Sequence, residues 1–397
     1  MTDSPQSTAP GPWQLVEAMR AHGDNPDPRV LDAFLTIPRA LFLPGVPLDQ
    51  VYMDDAIILK READGTVVSS SSQPSMMALM IDQMRLQKGH NVLEIGTGSG
   101  YNAAILQVLV EPGGLVTTIE YDPSLAEHAQ DALQRARMSR VLVVEGDGAA
   151  GYAPRASYDR ILATAGIWEV PRAWVKQLKP RGLIVAPIWF EGQQYSAAFQ
   201  LQPDGTLYSQ RNLPCGFVHL RGLAAGPVLD MRVGSGSLAI SSGQLQQVDA
   251  VALQMLLNAD TQDGYLGHAL TASDITYSLL PFLALTLPDE DVFATYAVLS
   301  DQQPFGIEGY GFAVIAKGSA CFVSTRGEGR ACVFGGADTL LAVQDAISAW
   351  EAAGCPSVTR LRLRLTPAES GTPPSAPRGG RVYVRGDHYL EAWFDKR

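Results

Sequence analysis

Three acidic residues, each at or beside the end of a predicted strand, carry the first chemical information in this sequence. Glu94 precedes a glycine-rich turn by two residues, Glu120 closes the next apolar run, and Asp147 follows the third run. In nucleotide-binding α/β folds, a carboxylate at the end of the second strand accepts hydrogen bonds from ribose hydroxyls. We therefore assign Glu120 to a ribose and Asp147 to an adenine amino group, while Glu94 either contacts the ligand or orients the turn.

The glycine-rich turn distinguishes between two classes of ligand. Gly96, Gly98 and Gly100 let the backbone turn tightly and approach a ligand that a Cβ would push away. A dinucleotide fingerprint places its third glycine five residues after the first, and that position is Tyr101. Glu94 would also repel a pyrophosphate, whereas it suits a cationic ligand. The spacing therefore favours S-adenosylmethionine over a dinucleotide.

The elements that must position these acids are short apolar strands alternating with helices. The predicted strands are residues 92–95, 115–120, 141–145, 158–164 and 182–187, and the predicted helices are 13–21, 29–35 and 73–84. This order predicts an α/β fold with a doubly wound, Rossmann-like sheet. An ordinary strand-to-helix connection would explain one glycine turn, but it would not explain three acids at successive strand ends.

Seven segments between residues 27 and 222 carry a resemblance to a known family. They are Ile37-Pro-Arg-Ala-Leu-Phe-Leu-Pro44, Val51-Tyr-Met-Asp-Asp55, Ser69-Ser-Ser-Ser-Gln-Pro-Ser75, Val92-Leu-Glu-Ile-Gly-Thr-Gly-Ser-Gly-Tyr-Asn102, Gly146-Asp-Gly148, Tyr158-Asp-Arg-Ile161 and Gly216-Phe-Val-His-Leu-Arg-Gly222. The chain resembles the protein-L-isoaspartate O-methyltransferases. The glycine motif alone fits many methyltransferases, whereas the Ser-Gln-Pro and Ile-Pro-Arg segments are more specific.

The resemblance implies roles for individual residues. Ser72 occupies the position of the family's active-site serine, whose hydroxyl orients the incoming carboxylate and is not a covalent nucleophile. Gln73 and Ser75 belong to the substrate side, and Ser75 departs from members that carry histidine or tyrosine there. The expected S-adenosylmethionine site comprises Ser69, Ser70, Ser71, Glu94, Gly96, Thr97, Gly98, Tyr101, Asn102, Glu120, Tyr121, Gly146, Asp147 and Gly148. Composition alone would instead make residues 69–72 a flexible polar linker.

Composition and charge exclude several other classes. A formal net charge of −11 argues against a general nucleic-acid or membrane-surface role, because phosphate binding requires a basic face. The four scattered cysteines and six dispersed histidines predict a reducing cytoplasm and no metal. No Ser-His-Asp or Cys-His arrangement is evident. A carboxylate, with a reference pKa near 4, is already ionised at pH 7 and needs orientation more than a base.

At 397 residues the chain is long enough for two domains. We predict a disordered tail over 1–11, a methyltransferase domain over 12–222 and an α+β accessory domain over 223–397 that recognises substrate. In this last region Arg360, Arg362 and Arg364 alternate with leucines and share one strand face. That face is either a solvated surface or a docking stripe for an acidic peptide.

The resemblance leaves the acceptor open. It implies methylation of an aspartate-derived carboxylate in a peptide or protein, with the ester closing to a succinimide. The acceptor is either isoaspartate in damaged proteins or an ordinary aspartate in a constrained peptide, as in relatives beside ribosomal peptide natural-product pathways. The long C-terminal region favours the second version. Two further functions stay open, a non-catalytic peptide-binding protein with the same fold and a methyltransferase for small acids.

Overall fold

The computed structural model describes residues 10–21, 26–234, 236–299, 304–326 and 329–395. The chain divides into two compact units. Unit 1 comprises Met1–Pro187, Ala198–Leu207 and Phe217–Gly226, and unit 2 comprises Ile188–Ala197, Tyr208–Gly216 and Pro227–Arg397. Residues 188–197 and 208–216, predicted to lie in the first domain, therefore belong to unit 2. Residues 1–9 of the predicted tail, and residues 22–25 between the first two predicted helices, lie outside the described part.

The helices of unit 1 are α1 Pro12–Ala21, α2 Pro28–Thr36, α3 Leu48–Val51, α4 Pro74–Gln83, α5 Tyr101–Val110, α6 Pro123–Arg135 and α7 Arg172–Gln177. The strands up to residue 215 are β1 Ile57–Arg61, β2 Val67–Ser71, β3 Asn91–Ile95, β4 Leu115–Glu120, β5 Val141–Glu145, β6 Tyr158–Ala163, β7 Leu178–Phe190, β8 Gln193–Leu201 and β9 Leu207–Cys215. Strands β7, β8 and β9 each have residues in both units.

The parallel strands of unit 1 are arranged in the order β5-β4-β3-β6-β7. From β3 the chain first adds β4 and β5 on one side, then returns to add β6 and β7 on the other. Ligands of open α/β sheets bind outside the carboxyl ends of the strands where the order reverses, which here is next to β3. The predicted doubly wound sheet is therefore confirmed, with all five predicted strands in it.

Local sequence explains where the helices around this sheet begin. Pro74 and Pro123 stand at the first position of α4 and α6, where the missing N–H costs no hydrogen bond. The side chain of Asp122 caps α6 by accepting from the backbone N–H groups of Ser124 and Leu125. Helix α5 is apolar on nearly every side and is buried along its length. Its Tyr101 ring packs against those of Phe34 and Phe42 in the unit 1 core.

The antiparallel hairpin of β1 and β2 was not predicted. Ile57 pairs with Ser71 and Ile58 with Ser70, so three of the four consecutive serines are strand residues. The run of serines hides the alternation of apolar and polar residues by which a strand is recognised. The interpretation of residues 69–72 as a flexible linker is therefore wrong for 69–71.

Unit 2 is an α+β unit in which strands outnumber helices. Its further strands are β10 Asp230–Val233, β11 Leu238–Ser241, β12 Thr261–Tyr265, β13 Val292–Val298, β14 Tyr310–Ala316, β15 Ser319–Ser324, β16 Arg330–Gly335, β17 Leu361–Pro367, β18 Arg381–Arg385 and β19 His388–Phe394. Its helices are α8 Ala250–Leu257, α9 Ala272–Asp274, α10 Leu280–Thr286 and α11 Asp338–Ala352. A seven-stranded antiparallel sheet has the order β10-β11-β13-β14-β15-β16-β12, and β19 pairs with both β17 and β18.

Helix α8 is preceded by a short turn. Residues Leu245–Gln247 form a separate 3-10 turn. The carboxylate of Asp249 then caps α8 by accepting from the backbone N–H groups of Val251 and Ala252. None of the described helices is long and apolar enough to cross a bilayer. The described residues also contain no cluster of three or more His, Cys, Asp or Glu side chains able to hold a metal.

Candidate active site

A pocket lies beside the carboxyl ends of β3 and β4, where the sheet order predicts a ligand. It is lined by residues 68–72, the glycine turn 95–99, residues 119–121 and the segment 217–221, all in unit 1. The sequence-predicted residues on its wall are Ser69, Ser70, Ser71, Ser72, Gly96, Thr97, Gly98, Tyr101, Asn102, Glu120, Tyr121 and Gly148. The sequence-predicted residues absent from its wall are Glu94, Gln73, Ser75, Gly146, Asp147 and the three arginines Arg360, Arg362 and Arg364.

The glycine turn contains three glycines with positive φ, of which Gly96 and Gly98 line the pocket. Gly96 has a φ of 96°, and a Cβ there would lie 2.5 Å from Oγ1 of Thr164. Gly98 has a φ of 53°, and a Cβ there would meet the carbonyl oxygen of Ser70 at 3.4 Å. Both conformations are strained for other residues. A side chain at Gly98 would also narrow the space between the glycine turn and the serine run.

Glu120 is the acid that the structure brings to the pocket wall. Its side chain is buried, and its two carboxylate oxygens accept from the backbone N–H of Gly98 at 2.9 Å and of Asp122 at 3.1 Å. Each oxygen of an ionised carboxylate has two lone pairs, so capacity remains for further donors. Contact with a ribose remains a prediction, and the position of Glu120 in the pocket supports it.

Arg221 is a pocket residue that the sequence did not single out. Its guanidinium lies 5.1 Å from the ring centre of Tyr121, close enough for a cation–π contact. It is also 3.9 Å from Glu120 and 3.7 Å from the exposed Glu62. Its only signal in the sequence was its place in the family-like segment that ends at Gly222.

Glu94 does not line the pocket but contacts a residue that does. Its side chain is fully buried, and Oε1 accepts a hydrogen bond of 2.6 Å from Nδ2 of Asn102, which is on the pocket wall. Burial raises the pKa of the Glu94 carboxyl from 4.5 to about 7. Of the two roles predicted for Glu94, the contacts support orientation of the site through Asn102 and do not support direct contact with a ligand.

We expect Glu94→Gln to become increasingly stabilising as the pH rises. The folded-state pKa lies above that of the unfolded chain, so the folded protein holds this proton between pH 4.5 and about 7 while the unfolded chain releases it. The wild type therefore loses up to about 3 kcal/mol of unfolding free energy over that interval. Glutamine keeps an acceptor for Asn102 and avoids this loss.

Thermal unfolding at pH 5 and pH 8 checks this expectation. The melting temperature of Glu94→Gln minus that of the wild type should be larger at pH 8. The same difference at both pH values would show that the buried carboxyl does not titrate in this range.

Asp147 holds a segment of the pocket wall in place. Its Oδ1 accepts from the backbone N–H of Ala149 at 2.9 Å, and its Oδ2 accepts from that of Leu223 at 2.7 Å. Gly222, with a φ of 86°, lies so close that a Cβ would be 2.4 Å from Oδ2. The predicted contact with an adenine amino group is therefore not supported. Asp147 instead fastens the chain immediately after residues 217–221.

This arrangement predicts that Gly222→Ala destabilises more than the same change at Gly205. Gly205 lies in the turn after β8 with a φ of 83°, and a Cβ there would meet nothing within 4 Å. Both variants incur the left-handed backbone cost of about 1–2 kcal/mol, but only Gly222→Ala also collides with Asp147. Urea unfolding midpoints measure the difference. Equal midpoints for the two variants would contradict the fastening role.

Ser72 follows β2 and precedes α4, on the pocket wall. The two predicted substrate residues that follow it make hydrogen bonds to a residue outside the pocket. Nε2 of Gln73 donates to Asp54 at 3.3 Å, and the backbone N–H of Ser75 donates to the same carboxylate at 2.8 Å. Their assignment to substrate remains a prediction, and these contacts do not favour it.

The three arginines of the predicted docking stripe have ion-pair or hydrogen-bond partners within unit 2. The leucines of β17 are buried and Arg362 and Arg364 alternate with them, as predicted, whereas Arg360 lies in the 3-10 turn Val358–Arg360 before the strand. Arg364 forms an ion pair with the buried Glu391, Nε of Arg362 lies 2.7 Å from Asp395, and Nε of Arg360 donates to the carbonyl of Asp395 at 3.1 Å. A docking stripe remains a prediction, and these internal partners argue against it.

Comparisons with known proteins agree with the geometry. The model of the family protein-L-isoaspartate(D-aspartate) O-methyltransferase matches residues 12–225. A Methanopyrus kandleri protein-L-isoaspartate O-methyltransferase is 39% identical over 210 residues, which are 53% of this chain and 90% of that protein. The enzyme of the same name from Thermotoga maritima is 42% identical over 171 residues, which are 43% of this chain and 53% of that protein.

One solved structure also covers most of the second unit. It is a protein-L-isoaspartate O-methyltransferase with 25% identity and a TM-score of 0.52, and the match covers 89% of this chain and 96% of that one. A long region after the pocket-bearing part is therefore not peculiar to this chain.

Proposed function

Because the chain belongs to the protein-L-isoaspartate O-methyltransferase family, an S-adenosylmethionine-dependent enzyme family, we propose that the ester it forms on an isoaspartyl residue closes to a succinimide. The chain is a methyltransferase of isoaspartyl residues in proteins. The methyl transfer that precedes this closure is supported by the convergence of Ser72, the glycine turn and Glu120 on one pocket.

The pocket residues fit S-adenosylmethionine. The space beside Gly98, which a Cβ would partly fill, suits close backbone approach, and the buried Glu120 offers acceptors for ribose hydroxyls. The residues that would hold the cofactor are Gly96, Thr97, Gly98, Tyr101, Asn102, Glu120, Tyr121 and Gly148. When bound, S-adenosylmethionine supplies an electrophilic methyl group on a sulfonium.

The residues of the chain contribute orientation more than proton transfer. An isoaspartyl carboxylate is ionised at pH 7 and is already a competent nucleophile. We assign the Ser72 hydroxyl to donate a hydrogen bond to one carboxylate oxygen, which leaves the other free to attack. Orienting two reactants in a site that excludes water can supply roughly 7–11 kcal/mol of the barrier. Glu94 is fully buried and does not line the pocket, so it is not assigned as a base.

The step after methylation involves only atoms of the methylated substrate and water. The backbone nitrogen of the following residue attacks the ester carbonyl, its proton leaves, and methanol is expelled as the succinimide ring closes. Water then opens the ring at either carbonyl and gives aspartate or isoaspartate. An ester favours this closure because methanol is a far better leaving group than the oxygen of a free carboxylate.

Aspartate in a dedicated peptide is the second candidate acceptor. Ser75 stands where some members carry histidine or tyrosine, but its side chain is not on the pocket wall and so does not favour this acceptor. The length of the C-terminal region no longer favours this version, because a solved member matches across 89% of this chain. A non-catalytic peptide-binding protein is opposed by the intact glycine turn and Glu120.

Two synthetic peptides that differ only in an isoaspartyl or aspartyl linkage separate these versions. We expect mass spectrometry to detect the methyl ester or succinimide from the isoaspartyl peptide and no product from its aspartyl twin. Product from the aspartyl peptide alone would establish the second candidate. Binding of S-adenosylmethionine without turnover of either peptide would support a non-catalytic peptide-binding role.

A further inference from the structure

We propose that Arg39 and Asp54 are positioning residues that together fix the turn carrying Ser72. The inference rests on the proposed function for its catalytic consequence. Arg39 lies in the family-like segment Ile37 to Pro44, and Asp54 lies in the segment Val51 to Asp55. The proposed methyl transfer assigns no role to either segment. Neither residue lines the pocket.

Arg39 is a buried guanidinium whose bonds converge on the active-site turn. Nη2 donates to the carbonyl oxygens of Ser71 at 3.2 Å, Ser72 at 3.1 Å and Asp55 at 3.1 Å, and also to Oγ of Ser71 at 3.3 Å. Nη1 donates to the carbonyls of Val51 at 3.1 Å and Met53 at 3.2 Å. One side chain therefore ties the loop 51–55 to the two residues at the end of the serine run.

The chemistry of these contacts explains why arginine stands there. A buried charge is costly unless its donors are bonded, and both terminal nitrogens of Arg39 donate to carbonyl or hydroxyl oxygens, while its Nε has no partner among the described residues. Arginine has five donors in a planar fork, whereas lysine has three donors around a single nitrogen. Lysine at position 39 would keep the charge but could not reach both groups of carbonyls at once.

Asp54 anchors the chain immediately after Ser72. Its Oδ1 accepts from the backbone N–H of Ser75 at 2.8 Å, and its Oδ2 accepts from Nε2 of Gln73 at 3.3 Å. The first N–H groups of a helix have no partner within it, and the N-cap residue of α4, Gln73, supplies no side-chain bond. Asp54 thus caps α4 from a different segment of the chain. Ser72 is fixed between the carbonyls held by Arg39 and the residues held by Asp54.

The consequence for catalysis is geometric. The direction of the Ser72 hydroxyl follows from the backbone at residues 71–73, and a displacement of about 1 Å in a reacting group can reduce the rate about 100-fold. Loosening either anchor should therefore lower kcat while leaving the cofactor contacts of Glu120 and the glycine turn in place.

The test uses Arg39→Lys and Asp54→Asn in the full chain, with Arg160→Ala as the matched control. Arg160 also binds backbone carbonyls in unit 1, at 2.5 Å to Met84 and 2.8 Å to Asp159, but it does not line the pocket. We expect the two test variants to lose about 10- to 100-fold in kcat on the isoaspartyl peptide. Their Kd for S-adenosylmethionine should stay within about threefold of wild type, and Arg160→Ala should keep its kcat within the same margin.

Hydrogen–deuterium exchange supplies a readout that needs no turnover. Exchange in the peptide covering residues 71–75 should accelerate in Arg39→Lys and Asp54→Asn and stay unchanged in Arg160→Ala. A wild type that methylates neither peptide would refute the proposed function but leave this measurement decisive.

Unchanged exchange at 71–75 in the test variants would overturn the positioning role, as would a kcat loss no larger than that of Arg160→Ala. Arg39→Gln, which removes the charge and three donors, should be slower than Arg39→Lys. An Arg39→Lys protein that fails to fold would also count against the proposal, because it would assign Arg39 to the stability of the unit and not to the turn.

Discussion

Ser72→Ala is expected to lower kcat by about 100- to 1,000-fold, the range seen when one oriented donor to a reacting oxygen is removed. Ser72 lies on the pocket wall, and the change deletes its hydroxyl without touching the carbonyl that Arg39 holds. Affinity for S-adenosylmethionine should remain nearly constant because Glu120 and the glycine turn are unaltered. Steady-state methylation of the isoaspartyl peptide and equilibrium binding of the cofactor measure the two quantities.

Ser75→Ala is the matched control for this variant. It removes a hydroxyl three residues away, from a side chain outside the pocket wall, and preserves the backbone N–H that Asp54 accepts. We expect turnover within a few-fold of wild type. If Ser72→Ala retained wild-type turnover in a folded protein, Ser72 would be a linker residue and the assignment of the acceptor oxygen would have to move elsewhere.

Glu120→Ala should produce the largest loss of cofactor affinity. Hydrogen bonds to a charged acceptor contribute roughly 1.5–3 kcal/mol each, so loss of even one ribose bond should raise the Kd at least about tenfold. The variant also removes the partners of the Gly98 and Asp122 N–H groups, which would loosen the turn in the same direction. Isothermal titration of S-adenosylmethionine measures the effect.

Glu62→Ala controls for the loss of negative charge near Arg221. Glu62 lies 3.7 Å from that guanidinium, close to the 3.9 Å of Glu120, but its side chain is exposed and is not on the pocket wall. Its removal should leave the Kd nearly unchanged. Equal affinities in Glu120→Ala and wild type would show that the ribose lies away from the end of β4.

The sequence was informative where a residue's neighbours lie on the same short strand. Strands β4 and β5 were predicted with the bounds they have, because an apolar run ending in an acid needs no distant partner to be recognised. The position of Glu120 on the pocket wall follows directly from that placement.

The sequence was uninformative where the partner is far along the chain. Asp147 was located correctly at a strand end, but Leu223, whose N–H it accepts, lies 76 residues away. The alternation of Arg364 with leucines was also correct, yet its ion-pair partner Glu391 comes from another strand, β19. Neither hydrophobic period nor local spacing contains that information. A polar side chain's role is set by what the tertiary fold brings to it.

The route of the chain through β7, β8 and β9 restricts how such a protein can be divided. Residues 188–197 and 208–216 belong to unit 2 although they lie between segments of unit 1, and the rest of the chain after Gly226 also belongs to unit 2. A gene fragment ending there would still encode two pieces that belong to the missing unit. Recombination that exchanged the second unit between relatives would therefore have to preserve the chain connections at each of these places. Adding or deleting a terminal module would not exchange the whole unit.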